Sequence, residues 1–193
     1  MPPKAKFQKE EIIAAALAIV KEQGMPALTA RSLGDKLGSS PRPIFTVFRS
    51  MEEVQAEVIV KAKAVYAEYV KKGLNADNAF KGVGTQYILF AINEPKLFQL
   101  LFMSEQKTVP SLSKVLPVIE EHYEDIMASI RDSYLVDNSN AERLYHHLWI
   151  YTHGIATLCA TKTCRFTGEE ISAMMTDVFT SLIIKIKKEE KND

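Results

Sequence analysis

The chain has 193 residues, 47% of them hydrophobic and 25% charged, with 24 basic side chains against 24 acidic ones. That balance excludes a disordered or fibrous chain, allows one domain or two small ones with a buried core, and leaves no net charge from which to read a partner. The distribution of charge says more: residues 1–50 carry eight Lys/Arg against four acids, a local +4, so the remaining 143 residues carry −4. A basic front on a mildly acidic body suits a module that meets a polyanion joined to one that does not.

The first helix is expected from about Lys9 to Gln23, with Ile12, Ile13, Ala16, Leu17 and Val20 on one face at three- and four-residue spacing. The run Ile12–Val20 is not read as a secretory segment, because Glu10 and Glu11 precede it and no small-residue cleavage site follows. No stretch approaches the roughly 20 apolar residues of a membrane span. With only Cys159 and Cys164 as thiols, too few for a disulfide framework, a cytoplasmic protein without membrane association is expected.

Gly24 stops the first helix, and Thr29 caps a short second one, Ala30 to Leu37, which Gly38 ends. Ser40 then caps a third helix with Pro41 at its first position and Pro43 still within its first turn. Ser50 and Glu53 form a capping box that opens a fourth helix, buried along Val54, Val58, Ala62, Val65 and Tyr69 as far as Gly73. A fifth helix is expected over 79–93 and a short apolar one around Leu97–Phe102. Residues 104–113 read as a loop, and Pro117 stands near the start of a helix that runs to about Tyr134. An eighth helix follows, capped by Ser139 or Asn140 and ending near Thr161. A second capping box, Thr167 with Glu170, opens the last helix.

The last helix carries Ile171, Met174, Met175, Val178, Phe179, Leu182, Ile183 and Ile186, far more than one apolar stripe. It is either central in its own domain or half-buried against a second copy, and the second copy is expected because a terminal helix is easily placed at a twofold interface. The fold class is therefore all-α with about nine helices.

The segment from Leu28 to Val54 has the pattern helix, Gly38, tight turn, short helix opened by Ser-Pro. This is a helix-turn-helix, whose second helix can enter a DNA major groove while the first crosses the backbone. Leu33, Leu37, Ile44 and Phe48 face inward, which leaves Pro41, Arg42, Phe45, Thr46, Val47 and Arg49 outward. On spacing alone the same pattern fits an αα-turn in a helical bundle without a DNA role.

The segments Gly24–Leu33 and Leu37–Val54 resemble the N-terminal DNA-binding domain of TetR-family transcriptional regulators. The likeness covers about residues 8–55, with cap, turn, aromatic pair and following capping box in register. It implies a three-helix DNA-binding domain over 1–50 and a helical ligand-binding and dimerisation domain over 51–193. Residue by residue it implies phosphate contacts from Thr29 and Arg31, and base and phosphate contacts from Pro41, Arg42 and Thr46. Ser40, Phe45 and Arg49 complete the expected surface. Thr29 offers a hydroxyl at a helix N-terminus, and Arg42 is the long cation at the front of the third helix, able to donate two hydrogen bonds to a guanine edge. Family members usually carry Tyr at the place of Phe45, often His at Val47 and commonly Lys at Met51, groups that would touch the DNA backbone. Arg49, Lys4 and Lys6 offset part of that loss.

Trp149 with His153-Gly154 is similar to a pattern in some ligand-binding domains of the family. The resemblance implies a pocket for a small apolar ligand, for which the candidates are Phe80, Tyr87, Phe90, Phe98, Phe102, Tyr123, Met127, Trp149 and His153, with Tyr87, Trp149 and His153 as polar anchors. Taken singly, each aromatic reads as an ordinary core residue, so the pocket rests on the resemblance. The expected partners are double-stranded operator DNA, a small apolar ligand and a second copy of the chain held through the last two long helices. The fourth helix (52–72) is the expected lever between head and body. No nucleophile–base pair, metal-ligand spacing or phosphate-cradling loop is visible, so neither an enzyme, a metal nor a cofactor is expected. Read as a different class, the chain is a helical ligand-binding or scaffold protein whose helix-turn-helix has lost operator binding.

Overall fold

The computed structural model describes residues 6–105 and 111–191. Among them nine α-helices and no strand are found: α1 (Lys9–Gln23), α2 (Ala30–Lys36), α3 (Met51–Leu74), α4 (Ala79–Asn93), α5 (Pro95–Phe102), α6 (Leu112–Ile119), α7 (Tyr123–Tyr134), α8 (Asn138–Ala160) and α9 (Gly168–Glu189). Short 3-10 turns occur at Met25–Ala27 and Ile44–Thr46. The expected number of helices agrees, but two of its members differ. The third helix is the 3-10 turn Ile44–Thr46, and the helix expected up to Tyr134 is two, α6 and α7.

The chain divides into two packing units. The first is Met1–Tyr66 with Glu94–Glu105. Its core takes Ile12, Ile13, Ala16, Ile19 and Val20 from α1, Leu33 from α2, Val54, Val58 and Ala62 from α3, and Leu97 and Phe98 from α5. Beyond Ala62 the buried face of α3 continues at four-residue spacing through Tyr66 and Val70, so Val65 and Tyr69, expected inside, are half-buried.

Between α2 and the 3-10 turn the backbone reverses through a left-handed Gly38 (φ +62°). Gly38 N–H donates to Asp35 O at 3.1 Å and Ser39 N–H to Gly34 O at 2.9 Å, the paired bonds of a Schellman ending. Gly34 makes this close return possible, because a Cβ there would lie 2.9 Å from Ser39 O and 3.1 Å from the Pro41 nitrogen. Ordinary helix propensity favours alanine over glycine by about 1 kcal/mol. At this site the sign reverses. Gly34→Ala is expected to destabilise the protein by about 1–3 kcal/mol, since the obstacle is backbone rather than a movable side chain. Chemical denaturation checks it, and a more stable variant would refute the packing argument.

The missing third helix has a local cause. Pro41 and Pro43 supply no N–H, and each disfavours helical backbone at the residue before it, here Ser40 and Arg42. The bonds that do form are short-range: Ile44 N–H to Pro41 O (3.1 Å), Thr46 N–H to Pro43 O (3.2 Å) and Val47 N–H to Ile44 O (3.1 Å). The Thr46 hydroxyl donates to Pro43 O at 2.7 Å and ties the same turn.

The second unit is Ala67–Asn93 with Gln106–Asp193, and α4 packed on α8 is its centre. Phe80, Tyr87, Ile88 and Phe90 of α4 are buried, as are Leu144, Tyr145, Leu148 and Ile155 of α8. Asp137, not Ser139 or Asn140, caps α8 by accepting from Asn140 N–H at 2.8 Å. Thr167 and Glu170 form the reciprocal capping box of α9. Of the apolar residues along α9 only Ile171 and Ile186 are buried, while Val178, Phe179, Leu182 and Ile183 are half-buried and Ile184 is exposed, as is Ile150 of α8. No helix among the described residues is long and apolar enough to cross a membrane.

Candidate functional site

All eight residues expected on the DNA side belong to the first unit. Thr29, Arg31, Ser40, Arg42, Phe45, Thr46 and Arg49 are exposed, and Pro41 is half-buried. Ile44 and Phe48, expected to face inward, are 0% and 2% exposed. The two sets alternate within one short turn, so burying Ile44 and Phe48 pushes Phe45 and Thr46 outward. Phe45 is 45% exposed, an unusual place for a phenyl ring. Val47, expected outward, is half-buried.

Two of the expected hydroxyl contacts are already engaged. Thr29 Oγ1 accepts Ser32 N–H at 3.1 Å while Ser32 Oγ accepts Thr29 N–H at 3.0 Å, which closes the N-terminus of α2. The Thr46 proton is held by Pro43 O. Both oxygens stay at the surface, but their hydrogen-bonding capacity is shared with the fold. Glu53 reaches back to Arg49 N–H at 2.7 Å, fixing the backbone from which the Arg49 guanidinium projects.

Three lysines of the first unit form ion pairs. Lys9 pairs with Glu57, Lys21 with Glu94 (2.6 Å) and Lys36 with Glu22 (3.2 Å). Among the described residues Lys6, Arg31, Arg42 and Arg49 form no ion pair, and neither do Lys61 and Lys63 of α3 or Lys96 of α5. Lys6 instead donates to Ser39 Oγ at 3.0 Å, which puts an ammonium beside the reversal that follows α2. Sequence reasoning placed Lys6 only loosely and missed Gly34, although a glycine in a helix interior is itself a sign of close backbone approach. Lys4 lies outside the described residues.

In the second unit the three residues expected as anchors form one cluster. The Tyr87 hydroxyl lies 2.9 Å from His153 Nδ1, and the Trp149 and His153 rings stack at 4.9 Å with an interplanar angle of 11°. Tyr87 and Trp149 centroids are 6.4 Å apart. Burial, then the Tyr145 phenol and the Glu120 charge, push Tyr87 well above the ordinary phenol range. Burial also pulls His153 below the ordinary imidazole range. Both groups are therefore neutral, and the imidazole tautomer decides which of them donates. Phe80, Phe90, Tyr123 and Met127 lie in the same unit, whereas Phe98 and Phe102 belong to the first, with Phe102 edge-on to Tyr66 at 5.0 Å. Tyr145 and Glu120 were missed. Tyr145 meets Tyr123 at 5.7 Å and Phe80 at 6.3 Å, and Glu120 is buried at the end of α6. Among the described residues no group of three or more His, Cys, Asp or Glu is placed to hold a metal.

Two solved structures share this architecture. A Vibrio parahaemolyticus protein assigned to the TetR family of transcriptional regulators matches with a TM-score of 0.64 at 16% identity, covering 90% of this chain and 97% of its own. A protein of Mesorhizobium loti MAFF303099, assigned to the same family, matches with a TM-score of 0.51 at 17% identity, covering 91% and 94%. No protein-family model and no curated protein matches the chain. The resemblance carried by residues 8–55 thus extends, as a likeness of fold, over nearly the whole chain.

Proposed function

We propose that this protein is a dimeric DNA-binding transcriptional regulator, a repressor released from a palindromic operator by a small molecule bound in its second unit. The observation that carries the reading is the set of unpaired cations on or beside the exposed helix-turn-helix. Three lysines are neutralised by carboxylates, while Lys6, Arg31, Arg42 and Arg49, on or beside the helix-turn-helix, are not. Unneutralised cations on an exposed helix-turn-helix suit phosphate oxygens and a guanine edge.

Dimerisation through α8 and α9 is supported by the half-buried Val178, Phe179, Leu182 and Ile183 with exposed Ile184 and Ile150. A twofold dimer offers two reading segments, which a duplex accepts in successive major grooves about 34–36 Å apart or a multiple of that. A ligand that prefers a different spacing of the two heads weakens DNA binding by its differential affinity, typically about 1–3 kcal/mol. Helix α3, with residues in both units, is the element through which that preference would pass.

The test is fluorescence anisotropy with a duplex drawn from the region flanking the protein's own gene, at two salt concentrations. Specific binding that weakens steeply between about 50 and 200 mM salt is expected, with unrelated DNA bound at least about a thousandfold more weakly. Equal affinity for both duplexes, or a monomer in sedimentation, would refute the proposal. Phe45 and the engaged Thr46 hydroxyl favour a second reading, a helical ligand-binding or scaffold protein without operator binding. That reading predicts no salt-dependent DNA complex at all.

A further inference from the structure

The two thiols of the chain, Cys159 and Cys164, have no part in the function proposed above. On one continuous helix their spacing would turn them about 140° apart. The helix is not continuous: α8 ends at Ala160, between them.

Beyond that end the chain doubles back through Lys162, which is left-handed (φ +58°), a conformation that usually selects glycine. The Lys162 N–H donates to Cys159 O and the Thr163 N–H to Leu158 O, both at 3.0 Å, the paired bonds of a Schellman ending. The Cys164 N–H then reaches the same Leu158 O at 3.3 Å. Thr161 braces the turn, its hydroxyl 2.7 Å from Thr157 O and 2.9 Å from the Thr163 hydroxyl.

Leu158 O belongs to the peptide unit that carries the Cys159 nitrogen, so the returning backbone lays Cys164 against Cys159. Standard backbone dimensions put their Cα atoms within about 7.5 Å of each other. A disulfide spans about 4.4–6.8 Å between Cα atoms, so closure needs at most a small shift of the loop end. Residues 161–165 are exposed, and little packing opposes that shift. The two thiols differ in access. Cys164 is exposed, while Cys159 is half-buried on the last turn of α8. Burial, with the neighbouring Cys164 as the lesser cause, pushes the Cys159 thiol up. Cys164 is therefore the sulfur that meets a reagent first, and Cys159 stands behind it.

We propose that Cys159 and Cys164 are an oxidant-responsive dithiol, which a hydroperoxide converts to a disulfide within one chain. The Cys164 sulfur attacks the peroxide, the O–O bond breaks, and a sulfenic acid forms as the departing oxygen takes the thiol proton and leaves as water or an alcohol. The Cys159 sulfur then attacks the Cys164 sulfur. An S–S bond forms, the S–O bond breaks, and the departing hydroxide leaves as water with the Cys159 proton. The thiols are oxidised and the peroxide is reduced. The product clamps the end of α8 to the segment that leads into α9, and a dithiol reductant reopens it. Nothing in this site depends on DNA binding.

The full-length protein, reduced and then exposed to a modest excess of hydrogen peroxide, provides the test. After denaturation with N-ethylmaleimide, the untreated chain should carry two maleimides and the oxidised chain none. The oxidised mass should lie about 2 Da below the reduced one and return with dithiothreitol. Trypsin cleaves after Lys162 and Arg165, so residues 163–165 should stay attached to the Cys159 peptide until reduction. Cys159→Ser should strand the sulfenic acid on Cys164, where dimedone traps it, and Cys164→Ser should keep its remaining thiol through the same exposure. Two surviving thiols, chains joined in pairs, or a sulfinic acid on Cys164 beside a free Cys159 would each overturn the assignment. If either variant fails to fold, the mass and peptide results on the unaltered protein decide alone.

Discussion

Arg42→Ala is expected to weaken operator binding by about 2–6 kcal/mol per dimer, because each of two copies loses a contact worth about 1–3 kcal/mol. Arg42 is exposed, stands between Pro41 and Pro43, and forms no ion pair among the described residues. Its removal leaves no buried partner stranded, so protein stability should change by less than about 0.5 kcal/mol. The discriminating measurement is a panel of duplexes with single base changes. A guanidinium on a base edge predicts that discrimination collapses at one symmetric pair of positions and survives elsewhere. A uniform loss across the panel would place Arg42 on phosphate instead, and no loss would place the reading segment elsewhere in the chain.

Phe48→Ala is expected to cost about 3–5 kcal/mol of stability, the range for emptying a well-packed aromatic site. Phe48 is 2% exposed, its N–H donates to Ile44 O at 3.0 Å, and Lys9 Nζ lies 5.7 Å from its ring centroid. Phe45, three residues earlier and 45% exposed, provides the control. Phe45→Ala should leave stability within about 0.5 kcal/mol yet weaken DNA binding. Thermal melts with DNA titrations on both variants separate the two phenyl rings by role. If both variants melt alike, the inward and outward faces of this turn have been assigned wrongly.

How far these roles could be read from sequence depends on whether the controlling interaction is local. Thr29, Ser50, and Thr167 with Glu170 act on backbone three residues away, Glu53 acts on Arg49 N–H four away, and the helix starts they announce are found. Asn93 before Pro95 likewise ends α4 where expected. The exposure of Arg42, Phe45, Thr46 and Arg49 follows from the burial of Ile44 and Phe48. The expected third helix has a cap in Ser40 and a proline tolerated at a first position, but Pro41 and Pro43 each disfavour helical backbone at the residue before them, and that penalty wins. The burial of a charged residue such as Glu120, where α6 ends, is a matter of tertiary contact. Periodicity holds no record of such contacts. Gly34 belongs to the same class, since the backbone it admits is supplied by Ser39–Pro41 after the chain has turned.

The paired prolines have a consequence for the kinetics of recognition. Pyrrolidine rings at 41 and 43 fix two φ angles in the unfolded and folded chain alike, and the Thr46–Pro43 bond closes the turn from the other side. A loop so constrained loses little conformational freedom when a duplex settles against it. Encounter should then be governed by diffusion and charge, without a slow ordering phase, and loosening the hinge with Pro43→Ala should show itself chiefly as faster dissociation.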